Sequence, residues 1–169
     1  MSVLIKKFVS SPFCTPKLTY TSGDTEYTAD YTEEWGHEFG KAVIMVASLA
    51  KDLFQIDIEY LRAMDLASVD WVTKDGRTKC RLSVDVILKN KSGTRVGPCT
   101  LKTPWLNEED LDGIADDAVK RMEALREVCA EYVLGRQRAQ MELFRDDELD
   151  IVDVSSSGML RQAQRKGGE

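Results

Sequence analysis

The sequence has few of the residues from which most catalytic and metal sites are built. His37 is the only histidine among the 169 residues, so a metal site made of several histidines is excluded. The four cysteines stand apart without Cys-x-x-Cys spacing, which argues against a zinc ribbon or a redox pair and favours reduced thiols in a cytoplasm. A phosphate-binding loop, a nucleophile elbow and a His-Glu-x-x-His motif are missing too. We therefore predict a protein that is not an enzyme, with no catalytic residues, cofactor or metal.

Long apolar segments are also missing. The longest apolar run, residues 42–50, is too short to span a bilayer, and the N-terminus lacks the apolar stretch of a signal peptide. These absences, together with 31% charged residues, predict a soluble cytoplasmic protein that does not bind membranes. The net charge of −6 gives no general basic footprint for duplex DNA, but it is compatible with one local basic face. The oligomeric state does not follow from composition.

Several segments alternate apolar and polar residues, as strands do. Residues 3–9 predict one strand, and the Thr- and Tyr-rich residues 17–31 predict a hairpin. Asp75-Gly76 is the strongest short hairpin signal and predicts a turn between two further strands. A last strand follows, and Pro98 predicts that it lies at a sheet edge or carries a bulge.

Two other segments repeat apolar residues every three or four positions, which predicts amphipathic helices. The first follows Thr32, a candidate N-cap, and runs to Leu53. The second covers residues 107–139 as one continuous helix, with Gly135 as a candidate stop. Residues 55–66 are compatible with either a short helix or a strand edge.

The order of these elements predicts an α+β fold. Two helices are expected to pack on one face of a mostly antiparallel sheet, in the order β-β-α-β-β-β-α. We predict a single domain over residues 1–144. The polar residues 145–169, which begin with an acidic run, predict a flexible acidic C-terminal tail.

Aromatic residues fall in or beside the predicted strands, and cationic residues surround the central hairpin. Proteins that bind single-stranded nucleic acid stack bases on aromatic rings inside a basic groove. The alternative is that these aromatic rings pack beneath the helices, as strand aromatics usually do. The candidate nucleic-acid-binding residues are Trp71, Lys74, Arg77, Lys79, Arg81 and Trp105.

A short peptide near the end of the chain is a candidate protein-binding motif. Gln140, Met141, Leu143 and Phe144 resemble the peptide by which many bacterial and phage proteins dock on the DNA polymerase sliding clamp. Such a peptide places two apolar side chains in a preformed cleft, while the glutamine amide adds directional hydrogen bonds. Met141 replaces the commoner leucine, which it resembles in length and adaptability. The alternative is that Ala139 and Leu143 continue the apolar stripe of the last helix, so that Leu143 and Phe144 cap the core.

The second half of the chain resembles a set of small, poorly characterised phage and prophage proteins with a compact α+β body. The matching residues are Thr103-Pro104, Gly135-Arg136, Arg138-Ala139-Gln140 and Leu143-Phe144. The resemblance implies a non-enzymatic accessory protein of phage-type DNA replication or recombination, which acts in the host cytoplasm and docks on the sliding clamp through residues 140–144. Two alternatives stay open, namely a single-stranded DNA-binding protein and a phage inhibitor of a host defence protein or enzyme.

Overall fold

The computed structural model describes residues 2–10, 17–30 and 36–136. The chain divides after Glu131 into two units, and the fold given below is that of the first, Met1–Glu131. The predicted clamp-binding residues 140–144 and the predicted tail 145–169 lie outside the described residues. The domain boundary at residue 144 therefore stays a prediction.

The strands of the described residues form one antiparallel sheet in the order β3-β2-β1-β4-β5-β6. They are β1 (Val3–Val9), β2 (Lys17–Ser22), β3 (Thr25–Asp30), β4 (Leu61–Lys74), β5 (Arg77–Lys89) and β6 (Arg95–Lys102). The predicted α+β class and the predicted alternation of strands and helices are confirmed. The hairpin predicted at 17–31 consists of β2 and β3. Together with β1, three strands therefore precede the first helix.

The turn residues explain the register of the sheet. Asp75 and Gly76 have φ angles of 53° and 72°, as the tight turn that suits a two-residue hairpin requires. This turn joins β4 to β5, the two longest strands, with 14 and 13 residues. Pro98 lies in β6, one of the two edge strands of the described sheet, beside a register shift between Val86 and Leu88. The prediction that the strand with Pro98 lies at an edge or carries a bulge is confirmed.

The helices are α1 (His37–Leu53), α2 (Glu108–Asp112) and α3, which covers residues 118–136. The first helix begins after Gly36, which has no side-chain cap, so the predicted N-cap at Thr32 is wrong. Residues 58–60 form a turn before β4, so the ambiguous segment 55–66 contains no helix. Among the described residues, none of the helices has the length and apolar character needed to cross a membrane.

The single long helix predicted over residues 107–139 is wrong, because the chain turns between α2 and α3. The Asn107 side chain accepts from the Asp110 backbone N–H at 2.8 Å, and the Asp110 carboxylate accepts from the Asn107 N–H at 2.9 Å. This capping box starts a helix that ends at Asp112, with Gly113 as its C-cap residue. Gly135 is helical and residue 136 follows it in α3, so the predicted stop at Gly135 is wrong as well.

The helices pack on one face of the sheet, which we call the inner face. Phe8 of β1 meets Phe39 of α1 edge to face at 5.3 Å between ring centroids. Arg126 of α3 lies over the Trp71 ring at 5.9 Å and donates from Nε to the Ile5 carbonyl at 3.3 Å. The buried side chains of the inner face are Ile5, Phe8, Leu18, Tyr20, Leu66, Val69, Trp71, Cys80, Leu82, Val84 and Val86. Full burial of one leucine or phenylalanine contributes roughly 1.5–3 kcal/mol, so this layer dominates the stability of the unit.

Candidate nucleic-acid interface

The alternation of β5 sorts its side chains onto the two faces of the sheet. Cys80 and Leu82 are buried on the inner face, with exposed fractions of 3% and 0%. Arg77, Lys79 and Arg81 alternate with them and therefore lie on the opposite face, which we call the outer face. Same-face neighbours on a strand are about 7 Å apart, so these three cations form an evenly spaced row.

The neighbouring strands add further cations to this row. Lys74 of β4 lies opposite Arg77, and Lys102 of β6 lies opposite Ser83. Lys74, Arg77, Lys79 and Lys102 are all exposed, and in the described part of the chain none of them forms an ion pair with a carboxylate. Their charge is therefore available to an external anion.

Arg81 lies at the centre of a chain of contacts that crosses the outer face. Its Nε and Nη2 atoms both donate to Asp70 Oδ2, at 3.3 and 3.1 Å. Asp70 also forms an ion pair with Lys7 of β1 at 3.4 Å. The Arg81 guanidinium lies over the Trp105 ring, with 4.5 Å between the guanidinium carbon and the ring centroid, a cation–π geometry.

Backbone hydrogen bonds beyond β6 place Trp105 on the outer face. The Leu82 N–H donates to Thr103 Oγ1 at 3.0 Å, and Thr103 Oγ1 donates to the Pro104 carbonyl at 2.8 Å. Cys80 and Leu106 exchange both backbone hydrogen bonds, at 2.9 and 2.8 Å. The Leu106 side chain is buried on the inner face. Because side chains alternate along an extended chain, that of Trp105 projects from the outer face, and Trp105 is 39% exposed.

The structure brings together five of the six residues predicted to bind nucleic acid and separates the sixth. Trp71 lies on the inner face, is only 4% exposed and packs beneath Arg126. Its ring is therefore not available to an external base. Trp71 instead packs beneath a helix, which is the alternative that the sequence left open. We define the basic face as the outer-face set Lys74, Arg77, Lys79, Arg81, Lys102 and Trp105.

Sequence reasoning missed Lys102 and the exposed Val72, which lies opposite Lys79 and is 47% exposed. The alternation of β4 carried a usable signal for Val72, because it places Val72 two residues from Lys74 on the same face. Lys102 joins the basic face only through the register between β5 and β6, which no local pattern in the sequence specifies.

The inner face has a cavity of about 90 Å³, lined in part by Trp71, Cys80, Met122 and Arg126. Pockets for small-molecule ligands usually measure roughly 300–1,000 Å³, so this cavity is small for such a ligand. Burial, together with the nearby Asp110 charge, raises the pKa of the Cys80 thiol to about 11. The thiol is therefore neutral at physiological pH, whereas a nucleophilic cysteine must form the thiolate.

Metal binding has no candidate group in the described ranges 2–10, 17–30 and 36–136, where no three histidine, cysteine or acidic side chains are placed to hold an ion. His37 is the first residue of α1 and is exposed.

Comparison with protein-family models, curated proteins and solved structures gives no match to this chain. No residue role is therefore transferred from a relative. The resemblances to phage proteins and to the clamp-binding peptide stay predictions.

Proposed function

We propose that this protein binds single-stranded nucleic acid on the basic face. The observation that carries the proposal is the half-exposed Trp105 ring, held beside Arg81 within a row of exposed cations on a sheet face. An aromatic ring for bases and cations for phosphates are the two elements that single-strand binders combine. Here the cations lie on β4, β5 and β6, and Trp105 lies in the segment after β6 that is hydrogen-bonded to β5.

The charge distribution supports an anionic ligand at this face. The whole chain has a net charge of −6, yet Lys74, Arg77, Lys79 and Lys102 share one face of the sheet without ion-pair partners among the described residues. Concentrating cations in one place costs stability through their mutual repulsion, and a bound phosphate backbone removes that repulsion. Release of counterions from the nucleic acid then drives binding, so the affinity should fall steeply with salt.

A single strand fits the basic face better than a duplex does. Trp105 offers an indole surface, and the flat faces of bases are accessible for stacking only when a strand is unpaired. Stacking of one base on an aromatic ring contributes about 1–3 kcal/mol, and every base has such a face. The protein should therefore bind single strands with little sequence preference.

Fluorescence anisotropy with a labelled oligothymidylate at low salt tests the proposal. The double variant Arg77→Glu/Lys79→Glu should weaken binding by roughly tenfold or more, because two contacts to phosphates become repulsive. The matched control is Lys89→Glu/Lys91→Glu, which makes the same charge change at the other end of β5 and in the turn that follows. Equal affinities of wild type and the Arg77→Glu/Lys79→Glu variant would exclude the basic face as the binding surface.

Trp105 needs a separate measurement. Trp105→Ala should weaken binding by about 1–3 kcal/mol, a factor of roughly 5 to 150, with little change in the salt dependence. Trp105→Phe keeps an aromatic ring and should retain most of the affinity. If both variants bind as the wild type does, the indole takes no part in binding.

A second proposed function is docking on a DNA sliding clamp through Gln140, Met141, Leu143 and Phe144. The support is the sequence motif alone, since these residues lie outside the described part of the chain. The test is binding of the full chain to a bacterial clamp, compared with the variant Leu143→Ala/Phe144→Ala. Loss of binding in the variant supports docking, and equal binding, or none by either protein, overturns it. The inhibitor hypothesis has no structural observation in its favour among the described residues.

A further inference from the structure

The outer face changes the sign of its charge along β5. Beyond Arg81 and Ser83, the next outward residue of β5 is Asp85, which lies directly opposite Asp65 of β4. Thr100 of β6 donates from Oγ1 to Asp85 Oδ1 at 2.6 Å, which holds this carboxylate on the outer face. We call Asp65 and Asp85 the acidic pair.

Among the described residues, the acidic pair forms no ion pair that would explain it. Like charges directly opposite each other on neighbouring strands destabilise a sheet. In the described part of the chain, no lysine or arginine forms an ion pair with either carboxylate. The sheet therefore gains no stability from placing two acids side by side, whereas an anionic strand lying along β5 would be repelled at this point.

We infer that the basic face holds only a short length of single strand, which runs along β5 from the hairpin end to the acidic pair. This inference rests on the proposed function and adds to it the extent and direction of the bound strand. The hairpin turn Asp75-Gly76 limits the tract at one end, because β4 ends at Lys74 and β5 begins at Arg77. The acidic pair limits it at the other end by repelling the next phosphate.

The length of β5 sets the number of nucleotides. From Arg77 to Ser83, which faces Lys102, there are six residue steps, and a strand rises about 3.4 Å per residue, so the cationic row spans roughly 20 Å. A strand stacked with the rise of about 3.4 Å per nucleotide found in a duplex places about six nucleotides in that length. A strand stretched to twice that rise places about three. The site therefore holds about three to six nucleotides.

The experiment measures the affinity of the full chain for oligothymidylates of about 2, 4, 6, 8, 12 and 16 nucleotides at low salt. For the wild-type protein, the affinity should rise up to about six nucleotides and then increase only in proportion to the number of binding registers. In the double variant Asp65→Asn/Asp85→Asn, the affinity for oligonucleotides of about 8 to 12 nucleotides should increase by roughly fivefold, because further phosphates now bind without repulsion.

The matched control is Asp24→Asn/Glu127→Gln, which removes two exposed acids away from the outer face, one in the β2–β3 turn and one in α3. It changes the net charge equally and should leave the length dependence as in the wild type. Thermal unfolding checks that both variants are folded. The inference is overturned if the wild-type affinity climbs steadily up to about 16 nucleotides, or if the variant and its control give the same increase. Failure of every oligonucleotide to bind, at any length, instead overturns the proposed function.

Discussion

Asp70 offers the sharpest prediction, because stability and nucleic-acid binding should respond to its replacement in opposite directions. Its carboxylate accepts two hydrogen bonds from Arg81 and forms an ion pair with Lys7 at 3.4 Å. The Asp70 side chain is only 14% exposed, whereas that of Lys7 is 47% exposed. The contact to Arg81 is therefore the stronger of the two, since water screens the contact to Lys7.

Asp70→Asn keeps the shape of the side chain and removes its charge. A hydrogen bond to a charged group contributes about 1.5–3 kcal/mol when protected, and solvent screening at this partly exposed site reduces the expected loss of stability to roughly 1–2 kcal/mol. The same change leaves Arg81 and Lys7 without their anion. One additional cation near a phosphate is worth about 1 kcal/mol in water, so the affinity for a single strand should increase by roughly fivefold at low salt.

Urea unfolding measures the first effect and fluorescence anisotropy measures the second. Asp24→Asn is the control, because Asp24 lies in the exposed β2–β3 turn and the substitution makes the same charge change. The control should alter neither the free energy of unfolding nor the affinity by a comparable amount. A variant that loses both stability and affinity would show that Asp70 orders the basic face for binding, and would refute the reasoning from charge.

The remaining predictions concern the inner face and the start of α2. Leu82→Ala should lower the free energy of unfolding by about 2–5 kcal/mol, because the fully buried side chain leaves a cavity; an unchanged urea midpoint would contradict its place in the core. Asn107→Ala should cost about 1 kcal/mol through loss of the capping box, and a loss within the error of urea unfolding would show that the cap is dispensable. Burial raises the pKa of Cys80 to about 11 and that of Cys129 to about 12, so at about pH 8 iodoacetamide should label the exposed Cys99 and spare both until the protein unfolds. Since both thiols ionise more readily in the unfolded chain, with an ordinary pKa of 9.0, the free energy of unfolding should decrease as the pH rises from about 9 towards 11; a flat pH profile of urea unfolding would contradict this.

The sheet was predictable where local chemistry decides the backbone. Asp75-Gly76 strongly favours a tight turn, because few other residue pairs tolerate two consecutive positive φ angles. Pro98 lacks the N–H that an inner strand needs, so a place at an edge or in a bulge was predictable from its covalent structure. The predicted helix over residues 107–139 failed for the opposite reason, since its apolar stripe continues through a turn that the capping box and Gly113 create.

The sequence by itself determined that Arg77, Lys79 and Arg81 share one face of a strand, because the side-chain period of a β-strand is two. It did not determine which tryptophan lies on that face. Trp71 and Trp105 look alike as aromatic residues in or beside strands, yet one is 4% exposed beneath α3 and the other is 39% exposed beside Arg81. The difference depends on where the helices pack and on the hydrogen bonds that join residues 103–106 to β5. Those contacts link residues distant in the chain, so only the tertiary structure assembled the basic face.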